Sequence, residues 1–269
     1  MTTNFFQSLL RDVGTFQQKE QAKISPEASD HKGRIDLVTE IDRESERRVV
    51  HALRKKFPND SILAEEETTH EGSSGRRWII DPLDGTTNYV HGHPSYGISI
   101  GLEDHGEITE GYTYFPEFDH FYDAQKNNQA RRNGELIQIS STTEPIHSLL
   151  ATGFADMRTE SQRINLEIFT DVIREVQGIR RGGAAVHDLC MVAEGVFEGF
   201  WEFNLAPWDV AAGSIIIREA GGIVSDAAGG DDWLHGNNII TGNREIHSWL
   251  IQEMERYSIN FDSGSLNTN

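Results

Sequence analysis

The sequence predicts a layered α/β fold of the α+β type, built as one large domain or two closely joined halves. Three observations predict it. Segments whose apolar residues recur at helical spacing alternate with short β-prone runs. The middle of the first half carries successive strands separated by turn residues, which reads as a mostly antiparallel sheet. Two β-prone runs, 61–64 and 78–80, end in acidic residues on a common edge, where α/β proteins place their ligands.

Taken in order, Phe5, Phe6, Leu9, Leu10, Val13 and Phe16 predict an amphipathic helix over 4–22. Residues 23–34 are polar and broken by Pro26 and Gly33, so a mobile loop is expected there. Thr39 with Asp42 resembles a capping arrangement, and a second helix is expected to run from there to Phe57, with Pro58 as its stop. A strand over 61–64 leads into Glu65-Glu66-Glu67. Trp78-Ile79-Ile80 is the next strand; Pro82 cannot donate to a ladder and Asp84-Gly85 is a turn signal, so a sharp break is expected after Asp81. Strands at 95–103, 107–115 and 121–124 follow, with a hairpin signal at Asn133-Gly134.

Composition turns polar at 142–145, a seam between an expected first half (1–145) and second half (146–259). Strand 149–152 and a helix over 165–176 come next, the helix presenting Leu166, Phe169, Val172, Ile173 and Val176 on one face. Arg180-Arg181-Gly182-Gly183 opens a small-residue helix from Ala184, followed by a strand over 196–203. Pro207-Trp208-Asp209 starts a helix with an apolar body. Strands at 223–225 and 239–241, a last amphipathic helix over 244–257 and a disordered tail over 260–269 complete the chain.

The 269 residues suffice for a substantial core, and 37% hydrophobic with 25% charged residues reads as soluble and globular. No run approaches a membrane span, no signal segment is evident, and one cysteine excludes an internal disulfide, so a cytoplasmic protein is expected. A net charge of −19 argues against direct nucleic-acid binding. It also requires local cations if the ligand is a phosphate. No Walker loop, His-Glu-x-x-His or paired Cys-x-x-Cys is present. His91 and His93 fit a turn better than a zinc site, His187 reads as a hydrogen-bonded histidine and Cys190 as a buried thiol.

Taken alone, the acids at 65–67 fit a solvated loop, Asp81 and Asp84 an acidic turn, and Asp209 a helix start. The functional alternative is that Glu65, Asp81, Asp84 and Asp209 meet. Four carboxylates together raise one another's pKa unless cations intervene. All-oxygen ligation points to Mg²⁺ first and Mn²⁺ second, and a two-metal site performs in-line phosphoryl chemistry. Thr86 could then position the attacking water, with Asp42 orienting Thr86 and amides around Gly85 holding phosphate.

These stretches together resemble the inositol monophosphatase family. The matching pieces are Asp36-Leu37-Val38-Thr39 with Asp42, Ala64-Glu65-Glu66, Trp78 through Asp81-Pro82-Leu83-Asp84-Gly85-Thr86-Thr87-Asn88, Gly183-Ala184-Ala185, Trp201-Glu202 and Pro207-Trp208-Asp209-Val210-Ala211-Ala212-Gly213. The resemblance implies a five-layered αβαβα sandwich, a homodimer, and an Mg²⁺-dependent, lithium-sensitive phosphatase. It implies metal ligation by Glu65, Asp81, the Leu83 carbonyl, Asp84 and Asp209. Water activation falls to Asp42, Thr86 and Glu65, and phosphate contact to Gly85 and Thr86. Alcohol binding falls to Asp84, Gly183, Ala184, Ala185, Glu202 and Asp209. Lys32 lies in a loop whose spacing departs from the family pattern, so it receives no role. Thr87-Asn88-Tyr89 resembles the inositol-phosphate members, whereas Ala184 removes a hydroxyl that many relatives carry. Histidinol phosphate, fructose 1,6-bisphosphate and a 3′-phosphonucleotide are the alternative substrates. A regulatory protein-binding member of the family is the alternative of another class.

Overall fold

The structure is a computed structural model that describes residues 2–24, 31–154 and 160–257, with 31–38 and 160–162 as backbone alone. Helices α1 (Thr2–Gln21) and α2 (His31–Lys56) come first. Strands β1 (Ser61–Ala64), β2 (Thr69–His70) and β3 (Arg76–Asp84) lead to the short helix α3 (Thr86–Val90). Strands β4 (Gly97–Asp104), β5 (Glu107–Phe115), β6 (His120–Gln125), β7 (Asn128–Arg132) and β8 (Glu135–Leu136) complete the first half. The second half runs β9 (Leu149–Thr152), α4 (Glu160–Val172), β10 (Gly178–Arg180), α5 (Ala185–Ala193), β11 (Gly199–Phe203) and α6 (Pro207–Glu219). It ends with β12 (Ile223–Ser225), β13 (Asn238–Gly242) and α7 (Arg244–Glu255).

The strands form two sheets. The first, β2-β1-β3-β4-β5-β6-β7-β8, is antiparallel except for the β1/β3 pair. That parallel pair brings the carboxyl ends of β1 and β3 side by side, Ala64 opposite Ile80. The second, β10-β9-β11-β13-β12, is parallel on one side and antiparallel on the other. Helices α1 and α2 cover one face of the first sheet, where Phe6 stacks on Tyr112 at 3.9 Å between ring centres. Helix α6 packs on β4 and β5 and also on β12 and β13, while α5 packs on β11, so both lie between the sheets. Helices α4 and α7 cover the far face against β11 and β13. The result is five layers, αβαβα. Among the described residues no helix is long and apolar enough to cross a membrane.

The apolar spacing of α1 buries Phe6, Leu10 and Val13, as expected for a stripe facing the sheet. The Asn133-Gly134 turn joins β7 to β8 with both residues at positive φ, 50° and 87°, the twist a two-residue hairpin needs.

Four expectations are corrected. Helix α2 begins at His31, so Thr39 and Asp42 lie inside it and form no cap. Pro26 is the nearest obstacle upstream, and Gly33 costs only about 1 kcal/mol in a helix interior. Lys32 therefore belongs to the backbone of α2 rather than to a loop, and the rest of the proposed loop, 25–30, lies outside the described residues. Strand β3 does not stop at Pro82 but passes it through a register shift between Asp81 and Asp84. A bulge is where a residue without an N–H is tolerated in a ladder. Helix α4 buries Asn165, Ile168 and Val172, while Leu166 and Ile173 are exposed. Its orientation is set by Asn165, whose amide donates to the Gly153 carbonyl at 2.8 Å and whose oxygen accepts from the Trp201 indole at 2.6 Å. Strands β2 and β10 carry too few β-prone residues to be read from sequence, and the 260–269 tail lies outside the described residues.

Candidate active site

Five pieces of backbone converge on one end of the first sheet. The β1 end supplies Glu65, the β3 bulge supplies Asp81, Leu83 and Asp84, and α3 begins at Thr86. The starts of α5 and α6 supply Ala184, Ala185 and Asp209. Between them lies a cavity of about 300 Å³. Its walls include Glu65, Asp84, Gly85, Thr86, Glu202 and Asp209. Gly183, Ala184 and Ala185 line the side facing α5.

The bulge is held from behind. The buried amide of Gln17 on α1 donates to the Pro82 carbonyl at 2.7 Å, replacing a ladder bond that the bulge gives up. The Leu83 N–H donates to Asp81 Oδ1 at 2.9 Å. Asp84 then reaches across to α5, where its Oδ2 accepts the Val186 N–H at 2.9 Å. Asp209 closes the first turn of α6 by accepting the Ala206 N–H at 2.7 Å. Each of these two acids satisfies an orphan donor at a helix start and also faces the cavity. The helix-start reading of Asp209 and the cavity reading both hold.

Gly85 has φ 84° and ψ 37°, the left-handed region. A Cβ there would also lie 2.8 Å from the Ser95 carbonyl and 3.0 Å from Ala184 Cβ, so the turn and α5 touch at this point. Asn88 bridges the same two segments: its amide donates to Ser95 O at 2.6 Å and Gly182 O at 2.8 Å. The Thr86 hydroxyl spends its single proton on the Leu83 carbonyl at 3.2 Å. Asp42 Oδ1 is buried without a hydrogen-bond partner among the described residues.

Electrostatically the cavity is under strain. Burial, and then Glu65, Asp84 and Asp209, push Asp81 well above the usual carboxylate range. Burial and Asp209 do the same to Asp84, against the Val186 hydrogen bond. Burial carries Asp42 to about 9, with Glu65, Glu66 and Glu46 adding to it. Glu65 is exposed as a residue, but its carboxyl end is enclosed among the other acids. That enclosure lifts it to about 7, against a hydrogen bond with Asp81. Burial brings Asp209 to about 6 despite the Ala206 N–H.

Among the described residues, no three His, Cys, Asp or Glu side chains form a ready-made ligand cluster. The fit to a cation therefore rests on the donors themselves. They are hard oxygens, mutually repelling, with the spare buried oxygen of Asp42 beside them. That donor set suits a hard divalent ion.

Glu202 is buried at the far side of the cavity, raised well above its ordinary value by burial and then by Asp209, Asp188 and Asp84. Its carboxyl group occupies the place a side chain at 153 would take: a Cβ on Gly153 would lie 2.1 Å from it. Gly153, Phe154, Arg181 and Leu205 also line the cavity and were not reachable from the sequence. Nothing in a lone glycine at a strand end announces that a distant glutamate needs its space. His91 and His93 form the turn after α3, and His93 Nδ1 accepts the Ser95 N–H at 3.3 Å. His187 Nδ1 is 2.8 Å from Ser95 Oγ, and burial lowers its pKa to about 4. Cys190 is fully buried, its thiol pushed up by burial.

Residues 2–258 match the inositol monophosphatase family. The chain belongs to that family. A protein named putative Nus factor SuhB from Neisseria meningitidis is 39% identical over 243 residues, covering 90% of this chain and 93% of that protein. A fructose-1,6-bisphosphatase/inositol-1-monophosphatase from Aquifex aeolicus is 38% identical over 247 residues, 91% of each chain. The solved inositol monophosphatase from Anabaena superposes with a TM-score of 0.85 at 34% identity, covering 95% of each chain. The five-layered arrangement expected of an inositol monophosphatase family member is the one found.

Proposed function

We propose that this family member hydrolyses small phosphate monoesters with a divalent cation, Mg²⁺ first and Mn²⁺ second. Inositol monophosphate is the leading substrate. The observation that carries this reading is the convergence of Glu65, Asp84, Asp209 and Glu202 with the Gly85-Thr86 turn on one cavity.

Glu65, Asp81, the Leu83 carbonyl, Asp84 and Asp209 would hold the ions. When bound, the ions neutralise phosphoryl oxygens and lower the pKa of a water. The remaining steps belong to the chain. Thr86 donates to Leu83 O, which leaves its lone pairs to accept a hydrogen bond from the attacking water. Glu65 lies close enough to Asp42 to raise its pKa, and the two acids would share the water's proton. Amides around Gly85, with Thr86, hold the phosphate. The α5 start at Gly183, Ala184 and Ala185, with Glu202, Asp84 and Asp209, orients the alcohol in line with the attack. A homodimer and inhibition by lithium belong to the same proposal. Histidinol phosphate, fructose 1,6-bisphosphate and a 3′-phosphonucleotide are its competing substrates.

The name of the Neisseria relative supports a second reading, a regulatory protein-binding role beside the site. A cellular effect that survives Asp84→Asn would favour it.

A phosphate-release panel tests the first reading. Release from inositol 1-phosphate should depend on added Mg²⁺ and stop with chelator. Turnover that persists after exhaustive chelation would contradict it.

A further inference from the structure

Glu46 lies on α2 one turn after Asp42, and both side chains are buried. Its carboxyl group takes up the turn that follows Glu65. Oε2 accepts the Glu66 N–H at 2.9 Å, while Oε1 accepts the Glu67 N–H at 3.2 Å and the Thr68 hydroxyl at 2.6 Å. The Ala64 N–H closes the turn by donating to the Thr68 carbonyl at 2.9 Å, and the Glu65 N–H donates to the Ile80 carbonyl on β3 at 3.2 Å. The backbone of Glu65 is thus pinned to β3 and, one peptide further on, to α2. Arg43 and Glu67, 2.9 Å apart, join the same two segments, but both side chains are exposed and such pairs contribute little.

An acid is a costly choice for this task. Asp42, Glu65 and Glu66 are each raised by burial and, among their acidic neighbours, by Glu46. Only a carboxyl group, however, offers two acceptor oxygens to the three donors of the turn. Asp42 Oδ1 has no hydrogen-bond partner among the described residues, so the α2 backbone sets where Asp42 stands. Glu46 refers the turn after Glu65 to that same backbone. We infer that Glu46 is a positioning residue: by fastening the 65–68 turn to α2, it sets how the Glu65 carboxyl group stands to Asp42 and so shapes the proposed metal site. This rests on the phosphatase reading above.

The test measures Mn²⁺ affinity of the full chain by calorimetry, phosphate release from inositol 1-phosphate at saturating Mg²⁺, and the melting point in chelator, for wild type, E46A, E46Q and T68V. E46A should bind Mn²⁺ about 10- to 100-fold more weakly, the size of losing a group that orients a metal ligand. Its kcat should fall by a similar factor while KM holds, because the substrate contacts proposed at Gly85 and the α5 start are untouched. E46Q should keep most of both, since its amide oxygen can accept the Glu66 and Glu67 N–H groups and its NH₂ can donate to Thr68 Oγ1. T68V, which deletes one of the three donors, should lie between wild type and E46A. Wild-type Mn²⁺ affinity in E46A, or in T68V should E46A not fold, overturns the inference. An E46Q as impaired as E46A also overturns it, because charge rather than hydrogen bonding would then be decisive. If the wild type binds Mn²⁺ and releases phosphate while E46A matches it, this inference alone falls. A wild type that does neither overturns the phosphatase reading as well.

Discussion

Asp84→Asn should lower phosphate release at least ~10³-fold while leaving the metal-free fold as stable as before, or more so. The first part follows from what a bound cation contributes to phosphoryl transfer, several kcal/mol of charge stabilisation, at about 1.4 kcal/mol per factor of ten. The second follows from the neighbours of Asp84. Its carboxylate is buried and repelled by Asp209. An asparagine oxygen can still accept the Val186 N–H at the 2.9 Å contact that ties β3 to α5. The charge goes and the strut remains. Steady-state kinetics beside a thermal melt in chelator separates the two effects. A variant with lost activity and a collapsed melting point would mean that Asp84 matters through folding. A variant within tenfold of wild-type activity would remove it from the site.

The second large effect is on stability against pH. Asp42 is raised to about 9 and Asp209 to about 6, burial being the main cause in each case. Asp81 and Asp84 are raised well above their ordinary values in the same way. The folded chain therefore holds protons that the unfolded chain releases near pH 4. Between the unfolded and folded pKa values the native state binds more protons, so stability falls as pH rises. The metal-free protein should lose stability from pH 5 to pH 9, and its melting point should drop by roughly 5–10 °C, a few kcal/mol for a chain of this size. Mg²⁺ binds the deprotonated carboxylates, so the stabilisation it adds should grow over the same range. Differential scanning fluorimetry at several pH values, with Mg²⁺ and with chelator, measures both trends. A metal-free melting point that climbs towards pH 9, or an Mg²⁺ effect confined to low pH, would contradict the assignment of uncompensated acids to this cavity.

The acids of the site were legible because each sits where local sequence changes period. Glu65 follows the run Ser61–Ala64, which is β1 as expected from its residues. Asp81 and Asp84 close a run of bulky residues, and Asp209 follows a proline at a helix start. Strands β5, β9 and β12 also fall where their β-prone runs predicted. The misreadings of α4 and β3 share one cause, which is that distant parts of the chain decide them. The face of α4 is chosen by Asn165 bonding to Gly153 and Trp201. The strand survives Pro82 because Gln17, 65 residues earlier, takes the carbonyl the bulge exposes. Gly153 and Arg181 acquire meaning only when Glu202 and Gly183 are in place beside them. Asn88 looked like part of a turn motif, yet its work is to join that turn to Gly182, 94 residues on.

At the root of this account is a pool of crowded carboxyl groups that holds protons when metal-free and gives them up to a divalent ion. Diffraction from crystals soaked in Mn²⁺, recorded at the manganese edge, tests this most directly. Anomalous peaks bonded to Asp81 and Asp209, ~3.5–4 Å apart if two ions share the cavity, are the predicted result. A map with no peak in the cavity, or with manganese only on surface acids, would contradict it.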